Sequence, residues 1–361
     1  MGSEISILCC RWVAKISNFA LMIAEEHKKP ILIWLYTGAF LVFAMIVIGG
    51  ITRLTHSGLS MVEWKLIMGS IPPLSDADWQ ETFAKYQAFP EYQQINSGFT
   101  LEDFKGIFWW EYLHRILGRL MGIVFLIPFV FFLIRKRLEP KLTKQLLAMF
   151  LLGGFQAFLG WFMVASGLID NPHVSHYRLA AHLITATVLL GFILWVAFGL
   201  AEDQESQEVP AAVGKVAKLL FGLILLQTIY GAFVAGLKAG YIFNTFPQMG
   251  ESWIPQAVTS LEPWWRNFTE GLAGVQFVHR CLAFAILSVV GWLWALRSRG
   301  ELSKAQERGL WMIVGAAVIQ FTLGVLTLIL GVPIPIAVMH QVGAMMLFAS
   351  TVYFLNRIKT A

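Results

Sequence analysis

Glu111-Tyr112-Leu113-His114-Arg115 returns 165 residues later as Gln276-Phe277-Val278-His279-Arg280, and each pentapeptide opens a long apolar stretch. The echo extends on both sides. Phe155-Gln156-Ala157-Phe158-Leu159-Gly160 has its counterpart in Ile319-Gln320-Phe321-Thr322-Leu323-Gly324 at an offset of 164, and His182 has one in His340 at 158. Upstream, Ile48-Gly49-Gly50 through Ser57-Gly58 resembles Tyr230-Gly231-Ala232 through Ala239-Gly240. Matching segments in the same order predict one unit written twice, both copies inserted in the same orientation because each holds an even number of spans.

The solvent of that unit is lipid. Only 14% of the 361 residues are charged, far below the quarter or so of a soluble chain, and mean hydropathy is +0.66. Eight stretches approach the roughly 20 apolar residues that cross a bilayer: Ile31 to Ile51, Trp110 to Ile134, Leu146 to Ala165, Leu179 to Leu200, Val216 to Leu237, Ala273 to Leu296, Leu310 to Leu330 and Ile334 to Leu355. The expected fold is an all-α polytopic membrane protein whose eight transmembrane helices form two tandem homologous four-helix bundles. Its expected divisions are an N-terminal cytoplasmic or interfacial lead-in at 1–30, an N-terminal half at 31–200, an acidic linker at 201–214, a C-terminal half at 215–356 and a tail at 357–361. Arg11, Lys15 and the charged run from Glu25 to Lys29 argue against a cleaved signal peptide. With the N-terminus inside, 17 Lys and Arg fall on inner segments and 9 on outer ones, which predicts both termini on the cytoplasmic or matrix side. The basic charge follows from that topology, so no nucleic-acid partner is expected. Cys9, Cys10 and Cys281 have no spacing that suggests a disulfide framework or a zinc site.

Four of the eight histidines, His114, His182, His279 and His340, lie inside apolar spans near the outer ends of even-numbered helices. At about 1.5 Å per residue all four fall in the outer half of the bilayer. A lone imidazole there can simply hydrogen-bond a neighbouring helix. One pair per half at matched depth is instead what a bis-histidine haem requires, one axial ligand coming from each of two helices. Zinc would need a tetrahedral cluster that neither half supplies. His27, His56, His173 and His176 lie outside the spans, where a solvated or loop-packing role is the default.

The two halves differ at one position that carries chemistry. Glu111 stands where the other half has Gln276, each three residues before its histidine and so on the same helical face. A carboxylate beside a haem edge can accept a proton or stabilise developing positive charge, and glutamine can do neither. The competing reading pairs Glu111 with Arg115 or an outer-loop lysine. Arg115, Arg178 and Arg280 lie where haem propionates would project, and bidentate pairing suits arginine to that contact. Ordinary snorkelling is the alternative for Arg115, Arg119 and Arg280.

These residues, with Arg53-Leu54-Thr55-His56-Ser57-Gly58-Leu59-Ser60-Met61, Pro172-His173-Val174-Ser175-His176-Tyr177-Arg178-Leu179 and Asn244-Thr245-Phe246-Pro247-Gln248-Met249, make the chain from about Trp34 to Asn356 resemble the haem A synthase family. It is similar to the branch, found in proteobacteria and mitochondria, that lacks a cysteine pair in the outer loops. The resemblance implies an oxidoreductase that oxidises a methyl group of haem O to a formyl group, giving haem A for terminal oxidase assembly. It further implies that His114 and His182 hold the substrate haem O while His279 and His340 hold a resident haem b, with iron as the bound metal. Glu111 is then the expected catalytic carboxylate. Expected partners are haem O and the lipid bilayer, with the haem O-producing farnesyltransferase, oxidase assembly factors and further copies of the chain left open. Two rivals stand beside this reading: a dihaem b-type electron-transfer protein that alters neither haem, and a reversible haem carrier. The aromatic outer segments, with Trp64, Trp79, Trp253, Trp264 and Trp265, are expected to anchor at the interface as lids or docking surfaces.

Overall fold

The computed structural model describes residues 2–62, 70–167, 174–201 and 208–360. Trp64, Lys65, Pro172, His173 and linker residues 202–207 lie outside the described residues, as do the side chains of Cys9 and Cys10. Ten α-helices follow in order: α1 (Gly2–Leu54), α2 (Asp76–Gln87), α3 (Pro90–Gln94), α4 (Leu101–Ile134), α5 (Pro140–Gly167), α6 (His176–Ala201), α7 (Ala211–Gly236), α8 (Leu272–Leu296), α9 (Lys304–Ile329) and α10 (Ile334–Arg357). Eight of them are long and apolar enough to cross a membrane, which makes the chain an all-α multi-pass membrane protein. Glu208–Val209 and Lys359–Thr360 form a two-residue parallel pairing, so the end of the linker and the tail meet.

All eight expected spans are present; α1 runs unbroken from the expected lead-in into the first span, and the early start of α4 has a local cause. The fourth helix begins at Leu101, nine residues before the apolar run suggests. Thr100 Oγ1 accepts from the Asp103 amide and the Asp103 carboxylate accepts from the Thr100 amide, a capping box that satisfies two otherwise orphaned donors. The helix therefore projects beyond the other spans. Its extra turns receive the loop helices α2 and α3 through a buried ring cluster of Trp79, Tyr86, Phe104 and Phe108. Trp79 thus packs inward, whereas Trp253, Trp264 and Trp265 are exposed.

Two apolar cores form, one from α1, α4, α5 and α6 around Trp34, Leu146 and Ile193, the other from α7, α8, α9 and α10 around Leu220, Leu293 and Phe354. The spans α4, α5 and α9 are the least buried and α10 the most. Contacts of α1 with α10, α6 with α7, and α6 with α10 join the two cores. Polar bonds reinforce the seam. Gln341 donates to the Ile46 carbonyl at 2.8 Å, and Arg53 to those of Ala235 and Gly236 at 2.9 and 3.1 Å. A Cβ on Gly50 would overlap the Gln341 amide, so a larger residue there would have to displace that side chain and its bond to Ile46.

Candidate functional site

A single cavity of about 1110 Å³ runs through both halves, and His114, His182, His279 and His340 all line it. Its walls are otherwise mainly apolar, the composition of a site built for a large hydrophobic ligand. The ends of the spans that carry the long loops lie at one side of the membrane. His182, His279 and His340 sit about two turns into their helices from that side, and His114 sits deeper in the extended α4.

Each imidazole rests against bare backbone of the span before it. A Cβ built on Gly49 would approach His114 Nε2 to 3.6 Å, one on Gly160 would reach His182 Cε1 at 3.3 Å, one on Gly231 His279 Cε1 at 3.4 Å, and one on Gly324 His340 Cε1 at 2.8 Å. Four histidines and four glycines therefore form one arrangement repeated four times. The glycines stand in the repeated motifs of the sequence, but repetition alone does not reveal that they serve as imidazole cradles.

Glutamines add a second layer. Gln156 Nε2 donates to the His182 carbonyl at 2.8 Å and Gln227 Nε2 to that of His279 at 3.1 Å, while the Gln320 carbonyl faces His340 Nδ1 at 3.2 Å. Nδ1 of His182 and Nδ1 of His279 are buried with no hydrogen-bond partner, a costly state unless a ligand relieves it.

The C-terminal pair shows the geometry in numbers. The rings of His279 and His340 stand 6.5 Å apart between centroids with their planes at 79°. Two imidazoles sharing one metal at roughly 2 Å from each ligating nitrogen have centroids about 6 to 6.5 Å apart, so this pair fits a six-coordinate iron between them. His114 and His182 are close enough to interact electrostatically. Among the described residues no group of three or more His, Cys, Asp or Glu gathers, so the donor set is pairs of imidazoles and not a tetrahedral cluster.

Glu111 is 2% exposed and fully engaged. Its Oε2 accepts from Ser60 Oγ at 2.8 Å and from the Met61 amide at 2.7 Å, and its Oε1 meets Arg115 at 2.5 Å. All three partners are donors, and the carboxylate is the acceptor of each bond. Gln276 occupies the same place in the other half with inverted polarity, donating to the Ala239 and Phe243 carbonyls at 3.0 and 3.3 Å and accepting from Arg280 at 3.3 Å.

The arginines hold protein groups. Arg115 donates to the Met61 carbonyl at 2.7 Å, and Arg280 to those of Phe243 and Thr245 at 2.8 and 2.9 Å, so each pins the loop of its own half over the cavity. Arg178 donates to the Phe162 carbonyl at 2.9 Å and stacks 3.9 Å above that ring, tying α6 to α5. One cavity-lining carboxyl escapes sequence reasoning altogether: Glu91, on the short α3, 5% exposed and without a motif to mark it.

Similarity to known proteins agrees with this architecture. The model of the family described as cytochrome oxidase assembly protein (COX15-CtaA) matches residues 32–352. The chain is 46% identical to a protein named Heme A synthase from Flavobacterium psychrophilum, over 92% of this chain and 99% of that one. It is 45% identical to a protein of the same name from Nitrosomonas eutropha (92% and 95%), and 42% identical to one from Wolbachia pipientis wMel (91% and 93%). With eight candidate spans and a family match over nearly its whole length, the chain belongs to the cytochrome oxidase assembly protein family.

Proposed function

We propose that the chain is a membrane oxidoreductase that converts haem O to haem A, oxidising one porphyrin methyl group to a formyl group. The observation that carries this reading is the pair of repeat-related cradles, each offering two buried imidazoles to a single apolar cavity. The N-terminal half, 31–200, holds the substrate haem O between His114 and His182. The C-terminal half, 215–356, holds a resident haem b between His279 and His340, where the ring spacing fits. When bound, that haem supplies one-electron relay chemistry.

The chain's own residues do the rest. The glycine cradles set the depth and direction of each imidazole, and the glutamines fix the helix backbones that carry them. Glu111, held by three donors, puts a carboxyl in the N-terminal site only, where positive charge develops as the methyl carbon loses electrons. Arg115 positions Glu111 and closes the loop at Met61, and the apolar walls exclude bulk water. The excess of Lys and Arg on the short-loop side supports an orientation with both termini in the cytoplasm or matrix.

Expression in cells that make haem O but no haem A tests the activity. Haem A is expected in extracts of those cells, and its absence despite haem-loaded protein would favour a dihaem electron carrier. The cradles make a second prediction. Gly324→Ala should force the His340 ring aside, since 2.8 Å is closer than a relaxed contact, and lower the C-terminal haem content. Gly49→Ala, with 3.6 Å available, should leave haem content unchanged. Soret absorbance per mole of purified protein reads both.

A further inference from the structure

Besides Glu111, the only carboxyl among the described residues lining the cavity is Glu91. The two have opposite surroundings. Glu111 has a cation and two further donors, whereas Glu91 accepts a single neutral hydrogen bond, from Tyr86 Oη at 3.2 Å, and no cation pairs with it among the described residues. Tyr86 in turn accepts from Asn96 Nδ2 at 2.8 Å, which directs its hydroxyl proton toward Glu91. Glu91 lies outside the spans, on the loop helix α3, at the end of the cavity that also holds the loop residues Asn96 and Phe99.

We propose that Glu91 is the proton-exchanging carboxyl of the substrate site, receiving the proton released from the methyl group and passing it to water at the loop side, while Glu111 stays paired with Arg115. The proposal rests on the N-terminal half holding haem O. In each oxidation one methyl C–H bond breaks, its two electrons leave one at a time to a one-electron acceptor, and the carbon bonds the oxygen of a water; the two protons released, one from the carbon and one from that water, pass in turn through the Glu91 carboxylate and outward. Burial pushes the Glu91 carboxyl up from its ordinary value to about 7, with the Tyr86 hydrogen bond opposing and the Glu111 charge reinforcing the rise. Burial and the neighbouring Glu91 charge likewise push Tyr86 up, so it keeps its proton and serves to orient Glu91. Two cavity carboxyls in different surroundings, one paired with a cation and one bonded to a neutral phenol, are the arrangement that separates electrostatic from proton-transfer duty.

The titratable groups acting on Glu91 are Tyr86 on α2 and Glu111 on α4. Arg53 and His56, from α1 and the turn after it, and Lys238 and Tyr241, from the other half, line the same cavity. Histidine is the residue type among these that titrates near neutrality, so His56→Gln is the control.

The experiment measures the initial rate of haem A formation by the purified, haem O-loaded protein against pH, with an added one-electron acceptor. Because the working form is the carboxylate, the wild-type rate should rise with pH through about 7. Glu91→Gln should lose that inflection and run about 100-fold slower at pH 8 with both haems retained. Glu91→Asp should restore an inflection, and His56→Gln should keep the wild-type profile. Infrared difference spectra without turnover should show a protonated-carboxyl band at pH 6 that fades by pH 8.5 and is missing in Glu91→Gln. An unchanged pH profile in Glu91→Gln, or a band that survives the substitution, would overturn the proposal. A wild type that binds haem O but makes no haem A would instead remove the enzymatic reading, and the infrared arm would still report on Glu91 alone.

Discussion

Replacing His279 by alanine is expected to abolish haem A formation while leaving haem O bound, and replacing His114 is expected to do the reverse to the pigments, keeping haem b and losing haem O. Both follow from two sites that share a cavity but not ligands. His279 faces His340 at 6.5 Å, and each ring is held by a glycine of its own half, so deletion of one imidazole removes a ligand from one site and leaves the other cradle untouched. Activity disappears in both variants for different reasons, one lacking the electron relay and the other the substrate. Reverse-phase separation of extracted pigments distinguishes them, and loss of both pigments in either variant would contradict independent sites.

Glu111→Gln is expected to slow haem A formation roughly 100- to 1000-fold with haem content preserved, the scale on which a single electrostatic group in a closed site acts. The C-terminal half explains both the folding and the loss. Gln276 shows that an amide can occupy this position beside an arginine, but there its Nε2 finds two loop carbonyls. Around Glu111 the partners Ser60 Oγ, Met61 N and Arg115 are donors, so the amide nitrogen of a substituted glutamine meets donors and the negative charge is gone. Turnover measured beside the haem spectrum separates this effect from simple loss of binding. Unchanged turnover would reduce Glu111 to a loop anchor.

The spans were readable because a bilayer leaves a chain few options: about 20 apolar residues, backbone bonds closed within the helix, and polar side chains only where something needs them. Four histidines inside apolar helices therefore stood out, and the structure brings all four to one cavity. The start of α4 was also written locally, in Thr100 and Asp103, but an apolar run does not show it. The pairing of Glu111 with Arg115 was among the readings the sequence offered, but the carbonyls of Met61, Phe162, Phe243 and Thr245 that Arg115, Arg178 and Arg280 hold were not legible, because those contacts depend on how the chain between the helices returns over them. Glu91 was invisible for a similar reason. Its burial arises from the docking of α2 and α3 on the first turns of α4, a long-range event with no periodic signature.

The measurement that bears most directly on two haem sites of different duty is the pigment and iron content of the wild-type protein purified from cells that produce haem O. The account predicts two irons per chain, with haem b and haem O or A in near-equal amounts. A colourless protein, one iron per chain, or haem b as the only pigment would contradict it.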